Sequence, residues 1–210
     1  MYVALDIETT GLDPENDHVT EIGMVRFDDA GAELESFHTF VNPGRSIPLF
    51  VQQLTGVTDE EVRSAPSLQS LAPRVRDFVG ENPVVGHNIG FDRSYLRRGG
   101  IDFAGPSIDT AEFARLIFPS RRGRGLADIA CELGMTHDDH HRALADARMA
   151  RDVFLGLRAR FDSLDSPQRA QLARLLSFHN EALASILAPD AEPAGPANPG
   201  PPAATPVAAP

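Results

Sequence analysis

Asp6 and Glu8 stand two residues apart at the end of an apolar run that begins at Tyr2. In a strand, that spacing puts both carboxylates on one face while Val3, Leu5 and Ile7 point to the other. Two carboxylates held side by side repel each other unless a cation lies between them, and an all-oxygen donor set suits magnesium or manganese. A bare D-x-E also describes a strand end with two solvated acids, so other groups must converge on it before chemistry follows. Three residues far along the chain are candidates. Asp92 follows the turn Gly86-His87-Asn88-Ile89-Gly90 and opens a helix, which taken alone reads as an N-cap. His141 and Asp146 are five apart, a spacing that does not share a helix face. For the two to act together, His141 must sit in the loop before a helix and Asp146 must point inward from its first turns.

The elements that have to position these residues follow from periodicity and punctuation. Three strands are predicted at Tyr2 to Glu8, Thr20 to Phe27 and Glu33 to Val41, with the short turn Asp28-Asp29-Ala30-Gly31 making the last two an antiparallel hairpin. Helical pieces follow at Leu49 to Leu54 and Asp59 to Arg63, the second capped by Thr58. A longer helix runs from Ser67 to Val79, and a short apolar strand from Pro83 to Gly86. Asp92 to Arg98 is helical, Ser107 to Asp109 a brief strand, and Thr110 to Phe118, Leu126 to Leu133 and Ala143 to Leu157 are helices. Strands first, then strands alternating with helices, give an α/β fold: a mixed sheet flanked by helices. Ser166 to Leu187 reads as one amphipathic helix, with Leu172, Leu175, Leu176, His179, Leu183 and Ile186 on one stripe that packs on the domain or on a partner. Residues 189–210 are almost entirely Pro, Ala and Gly and cannot bury enough apolar surface to order themselves, so they read as a tail or linker.

Composition narrows the function. The net charge is −11, and all 19 basic residues are Arg. That balance argues against a protein that grips nucleic acid by broad electrostatics, but not against an enzyme handling a strand end with metal-loaded acids. No apolar stretch reaches the roughly 18 to 20 residues that span a bilayer, and no leader pattern opens the chain, so no membrane partner and a cytoplasmic location are expected. The lone Cys131 is expected to be a buried structural thiol in its helix.

The motifs D-x-E-T-T-G at Asp6, H-N-x-x-F-D at His87 and H-x-A-L-x-D-A at His141 resemble, in order and content, those of the DEDDh exonucleases, the family that includes the proofreading epsilon subunit of bacterial replicative polymerases. Leu54-Thr55-Gly56-Val57-Thr58 is similar to the L-T-G-I-T signature of that family. The resemblance covers roughly Met1 to Leu157, within an exonuclease domain read as residues 1–160, and implies a ribonuclease H-like fold with a five-stranded mixed sheet. It implies that Asp6, Glu8, Asp92 and Asp146 hold two magnesium or manganese ions for phosphodiester hydrolysis, with His141 as general base. It implies that Thr9, Gly11, Leu12, Phe91 and Asn88 position the terminal nucleotide of a single-stranded 3′ end. The expected activity is release of nucleoside 5′-monophosphates from single-stranded DNA in proofreading or repair. An oligoribonuclease-like enzyme and a non-catalytic tethering module are the alternatives, and all five reactive residues being present speaks against the second. The Pro/Ala-rich tail resembles linkers that join such a domain to a DNA polymerase or helicase.

Two other clusters compete for attention. His137 and His141 would suit zinc at helical spacing, but the intervening acids Asp138 and Asp139 and a turn-like composition disfavour a helix there. His140 lacks the five-residue spacing to Asp146 and reads as a solvated neighbour. Arg121, Arg122 and Arg124 form a basic loop that either touches the phosphate backbone or is simply solvated.

Overall fold

The computed structural model describes residues 1–123, 125–136, 141–179 and 181–187. Five strands form one sheet in the order β3-β2-β1-β4-β5. They are β1 (Tyr2–Thr9), β2 (Val19–Phe27), β3 (Glu33–Phe40), β4 (Val84–Gly86) and β5 (Ser107–Asp109). β2 is antiparallel to β1 and β3, whereas β4 and β5 run parallel to β1. The helices are α1 (Leu49–Thr55), α2 (Asp59–Arg63), α3 (Leu68–Val79), α4 (Gly90–Arg98), α5 (Thr110–Ile117), α6 (Leu126–Glu132), α7 (Ala143–Asp162), α8 (Ser166–His179) and α9 (Glu181–Leu187).

Alternation along β1 divides the core into two. Val3, Leu5 and Ile7 pack with Ile22 and Met24 of β2 against Leu71, Val75 and Val79 of α3 and Tyr95 and Leu96 of α4. Tyr2 and Ala4 face the other side, where they meet Val25 and Phe27 of β2 and Ala147, Val153, Phe154 and Leu157 of α7. Tyr2, Phe27 and Phe154 form a ring cluster there, with Tyr2 centred 5.3 Å from each of the other two. The face that begins as Tyr2 and Ala4 continues as Asp6 and Glu8, so apolar packing gives way to carboxylates along a single strand under one helix.

Local signals set some of the helix starts. Thr58 closes a capping box on α2, its hydroxyl accepting from the Glu61 N–H while the Glu61 carboxylate accepts from the Thr58 N–H. Thr58→Ala is expected to cost about 1 kcal/mol in urea unfolding, the usual worth of such a cap. Ser67 caps α3 in the same manner by accepting from the Ser70 N–H.

The structure departs from the sequence reading at four places. α7 extends to Asp162, because Phe161 is buried and keeps the last turn in register with the core. Along the stretch predicted as a helix from Ser166 to Leu187, α8 and α9 are helical on either side of residue 180, with Leu176 and Leu183 buried in the α7-side core, but Leu175, expected on the inward stripe, is exposed. Cys131 is exposed, since Ile129 and Ala130 occupy the inward stripe of α6. α4 starts at Gly90 and not at Asp92, so Asp92 is not its cap. The tail 189–210, His137, His140 and Arg124 lie outside the described residues. Among the described residues no helix is long and apolar enough to cross a membrane.

Candidate active site

The end of β1 is where the sheet changes character. β4 pairs with β1 only at Val3 and Ala4, after which the chain turns away into α4. Ile7 would therefore present an unpaired N–H on that side, a costly condition in a buried strand. Asp92, 4% exposed in the first turn of α4, meets this need: its Oδ1 accepts the Ile7 N–H at 3.1 Å. One hydrogen bond thus locks the third acid beside the Asp6-Ile7-Glu8 segment. The turn before it is equally constrained. Asn88 has a left-handed backbone with φ of 59°, and its N–H donates to Asp109 Oδ1 at 3.0 Å.

α7 delivers the remaining two groups from across the sheet. Gly23 of β2 pairs with Asp6, so a side chain there would project from the same face. A Cβ at Gly23 would collide with the backbone of Ala143 and Leu144, and its absence lets the start of α7 lie directly on the sheet. Asp146 then stands in the first turn of the helix and His141 in the preceding loop, the arrangement that their spacing predicted. His141 has a left-handed φ of 65°, and its N–H donates to Asp146 Oδ2 at 3.0 Å. Donor atoms of Glu8, His141 and Asp146 all lie within 4.8 Å of one another.

So many acids in a half-buried space raise one another's proton affinity. Burial, then the charges of Asp92, Glu8, Asp146 and Glu21, hold Asp6 well above the ordinary carboxylate range. Burial and the charges of Asp146, Glu21 and Asp92 push Glu8 up to about 8, against the opposing pull of Arg142. Asp92 is also pushed up to about 8, by burial, although backbone hydrogen bonds work the other way. Excess negative charge of this kind, presented through oxygen donors and one imidazole, fits a hard divalent cation.

The expected nucleotide-contacting residues are placed around this end of the sheet in different ways. Leu12 is 85% exposed at the tip of the loop after β1. Its loop is pinned at Gly11, whose carbonyl accepts from Thr9 Oγ1 at 2.5 Å and from the Tyr95 hydroxyl at 2.8 Å. Gly11 itself lies against the Asp17 carboxylate, which leaves no room for a Cβ. Thr9 is buried with its hydroxyl engaged in that loop, whereas Asn88 is exposed. Phe91 is half-buried, its ring 4.8 Å from that of Tyr95. Arg121 bonds to Glu132 and to the Asp128 carbonyl of α6, and Arg122 is exposed.

Sequence reasoning missed Glu21, Gly23 and Arg142. Glu21 is 1% exposed and pairs with Glu8 across the strands. A Glu and a Gly alternating within the apolar run of β2 were the available signal, since neither residue favours a buried strand.

The sheet order, the acids at the end of its central strand and the helix that brings a His and an Asp across it define a ribonuclease H-like nuclease architecture. The chain belongs to the RNase T exonuclease family, whose model matches residues 3–154. It is 34% identical over 159 residues to the DNA polymerase III subunit epsilon of Aquifex aeolicus, an alignment covering 73% of this chain and 78% of that one. It is 33% identical over 192 residues to the 3′-5′ exonuclease DinG of Bacillus subtilis, covering 89% of this chain. The chain spans only 20% of that relative's length, and 11% of the PolC-type DNA polymerase III of Clostridium perfringens. Among solved structures, Exonuclease X in complex with 5′ overhanging duplex DNA shares the fold with a TM-score of 0.66 at 23% identity, covering 82% of this chain and 99% of that one.

Proposed function

We propose that this protein is a divalent-metal-dependent 3′-5′ exonuclease that removes nucleoside 5′-monophosphates from single-stranded DNA, in proofreading or repair. The observation that carries the proposal is the convergence of Glu8, Asp146 and His141 within 4.8 Å beside Asp6 and the Asp92 that is bonded to Ile7. Asp6, Glu8, Asp92 and Asp146 would hold two magnesium or manganese ions. When bound, these ions supply charge neutralisation for the attacking and leaving oxygens of the phosphodiester.

The protein's own groups do the rest. His141 takes the proton of the attacking water, a role that suits an imidazole because its intrinsic pKa lies near working pH. Its backbone bond to Asp146 holds it against the acids. Leu12, exposed on a pinned loop, lies against the terminal base, while Phe91, Asn88 and the backbone around Thr9 and Gly11 orient the nucleotide. Names of relatives support DNA as the substrate: an epsilon subunit of DNA polymerase III and a DNA-bound exonuclease. Work on DNA would place the protein in the cytoplasm, and a polymerase or helicase is the partner proposed for residues 189–210.

The test is a time course on matched 3′-labelled single-stranded DNA and RNA oligonucleotides with magnesium or manganese. Stepwise shortening of DNA from the labelled end is expected, and His141→Ala should lower kcat by roughly 10²- to 10⁴-fold, the usual worth of a general base. Faster shortening of short RNA would move the protein to RNA turnover. Shortening from 5′ ends alone would refute the proposal.

A further inference from the structure

Glu21 is the one site-facing charge on β2 that the hydrolysis above does not use. It is 1% exposed and directly opposite Glu8, so its carboxylate is buried within reach of another acid's field. Such a group persists only if donors surround it. Arg142 Nε lies 3.2 Å from Oε1 and 3.3 Å from Oε2, and its NH2 group lies 3.1 Å from Oε1. The Ala143 N–H donates to Oε2 at 3.4 Å, and His38 Nε2 is 2.6 Å from Oε1. The Arg142 guanidinium in turn lies over the Phe40 ring, 5.6 Å from its centre.

Two of these donors, Arg142 and the Ala143 N–H, immediately follow His141 in the chain. That placement matters because His141 holds a φ of 65°. A non-glycine residue in the left-handed region costs on the order of 1–3 kcal/mol and persists only where its surroundings over-determine it. On one side the His141 N–H is tied to Asp146. On the other, the next two residues are tied to Glu21, which is itself fixed in the sheet by the β2 register.

We propose that Glu21 is a positioning residue: by gripping Arg142 and the Ala143 N–H it fixes the left-handed turn that holds His141 against the acids. The proposal rests on His141 acting as the base. An ion pair that served stability alone would not need to fall on the two residues following that base, and a well-packed apolar pair would stabilise the fold at least as well.

The experiment places Glu21→Gln and, separately, Arg142→Lys in both the native and the His141→Ala backgrounds. Arg142→Lys keeps the charge but loses the two-point grip, and it serves if Glu21→Gln proves unstable. Single-turnover rates, KM, Mn²⁺ affinity by calorimetry and the thermal midpoint are measured for each. Each single variant should lose about 10- to 100-fold in rate, as supporting partners of reactive groups do, with KM unchanged and, for the charge-conserving Arg142→Lys, Mn²⁺ affinity unchanged. Neither should lower the rate further in the His141→Ala background. In the metal-free variants, the backbone scalar coupling of His141 measured by NMR should leave the value for a positive φ. Equal losses in both backgrounds, a fall in the Mn²⁺ affinity of Arg142→Lys that tracks its rate, or an unaltered coupling would each overturn the positioning role. If His141→Ala itself leaves the rate intact, the base assignment fails and the positioning role fails with it.

Discussion

Replacing Asp6 by asparagine is expected to take nuclease activity below detection while making the metal-free protein more stable. The two effects share one cause. Asp6 sits among Asp92, Glu8, Asp146 and Glu21, and their charges together with burial raise its pKa. In the same site Glu8 moves from an ordinary 4.5 by burial and these charges, and Asp92 from 3.8 chiefly by burial, each to about 8. Acids whose pKa is higher folded than unfolded bind more protons in the native state between those values. Stability is therefore fully present below about pH 4 and declines as the pH rises toward 8. Metal-free protein should melt at a lower temperature at pH 8 than at pH 5. A cation held by the acids reverses the trend: at a concentration about 100 times its Kd it adds about 2.7 kcal/mol, or about 5–10 °C for a chain of this size. The neutral amide of Asp6→Asn would remove one of the repelling charges without changing shape. Calorimetry in EDTA should thus show a higher midpoint for Asp6→Asn than for the native protein at pH 8, with the cation-induced rise abolished. A lower midpoint in EDTA, or a full response to Mg²⁺ or Mn²⁺, would show that Asp6 is not part of the cation site.

The parts of the site that were legible in the sequence are those set by local chain geometry. A period of two put Asp6 and Glu8 on one face, and the spacing of His141 and Asp146 required a loop and a first turn. The cap Thr58 was likewise visible because a cap is fixed by residues three apart, whereas Ser67, read as the first residue of its helix, is the cap of α3. What stayed hidden depends on which strands meet and in what register. Asp92 read alone as a helix cap, and its partner turned out to be the N–H of Ile7, 85 residues away. Glu21 has no side-chain partner within its own strand; His38 reaches it from β3, and the rest come from far along the chain. It acquires meaning only when the β1–β2 ladder sets it opposite Glu8 and α7 brings Arg142 over it, 121 residues along the chain.

This dependence on register gives the site a division of labour. The strand supplies two carboxylates whose separation the backbone fixes, and the helix supplies groups whose position depends on how closely it approaches the sheet. A misplacement of about 1 Å in such a helix is enough to cost on the order of 100-fold in rate. The sheet must therefore control the approach of α7 as tightly as it controls the spacing of Asp6 and Glu8, and it does so at β2.

Gly23→Val is accordingly expected to damage folding and catalysis together, although residue 23 has no side chain to take part in the chemistry. The position pairs with Asp6 and underlies the start of α7. A branched side chain there meets the backbone of Ala143 and Leu144, which no rotamer can avoid, so either α7 lifts or β2 bends. Lifting α7 draws Ala147, Val153 and Phe154 away from Tyr2 and Phe27 and breaks the Arg142 and Ala143 bonds to Glu21. Overpacking of this kind costs about 1–3 kcal/mol or more, and the displaced His141 and Asp146 should cost at least about 100-fold in kcat. Gly23→Ala should show the same pattern in weaker form. Urea unfolding and rate measurements on both variants test this, with the core truncation Val153→Ala as the comparison, because that change loses stability without obstructing the approach of α7. If Gly23→Ala loses no more activity than Val153→Ala at equal folded fraction, the close approach at β2 does not set the reactive geometry.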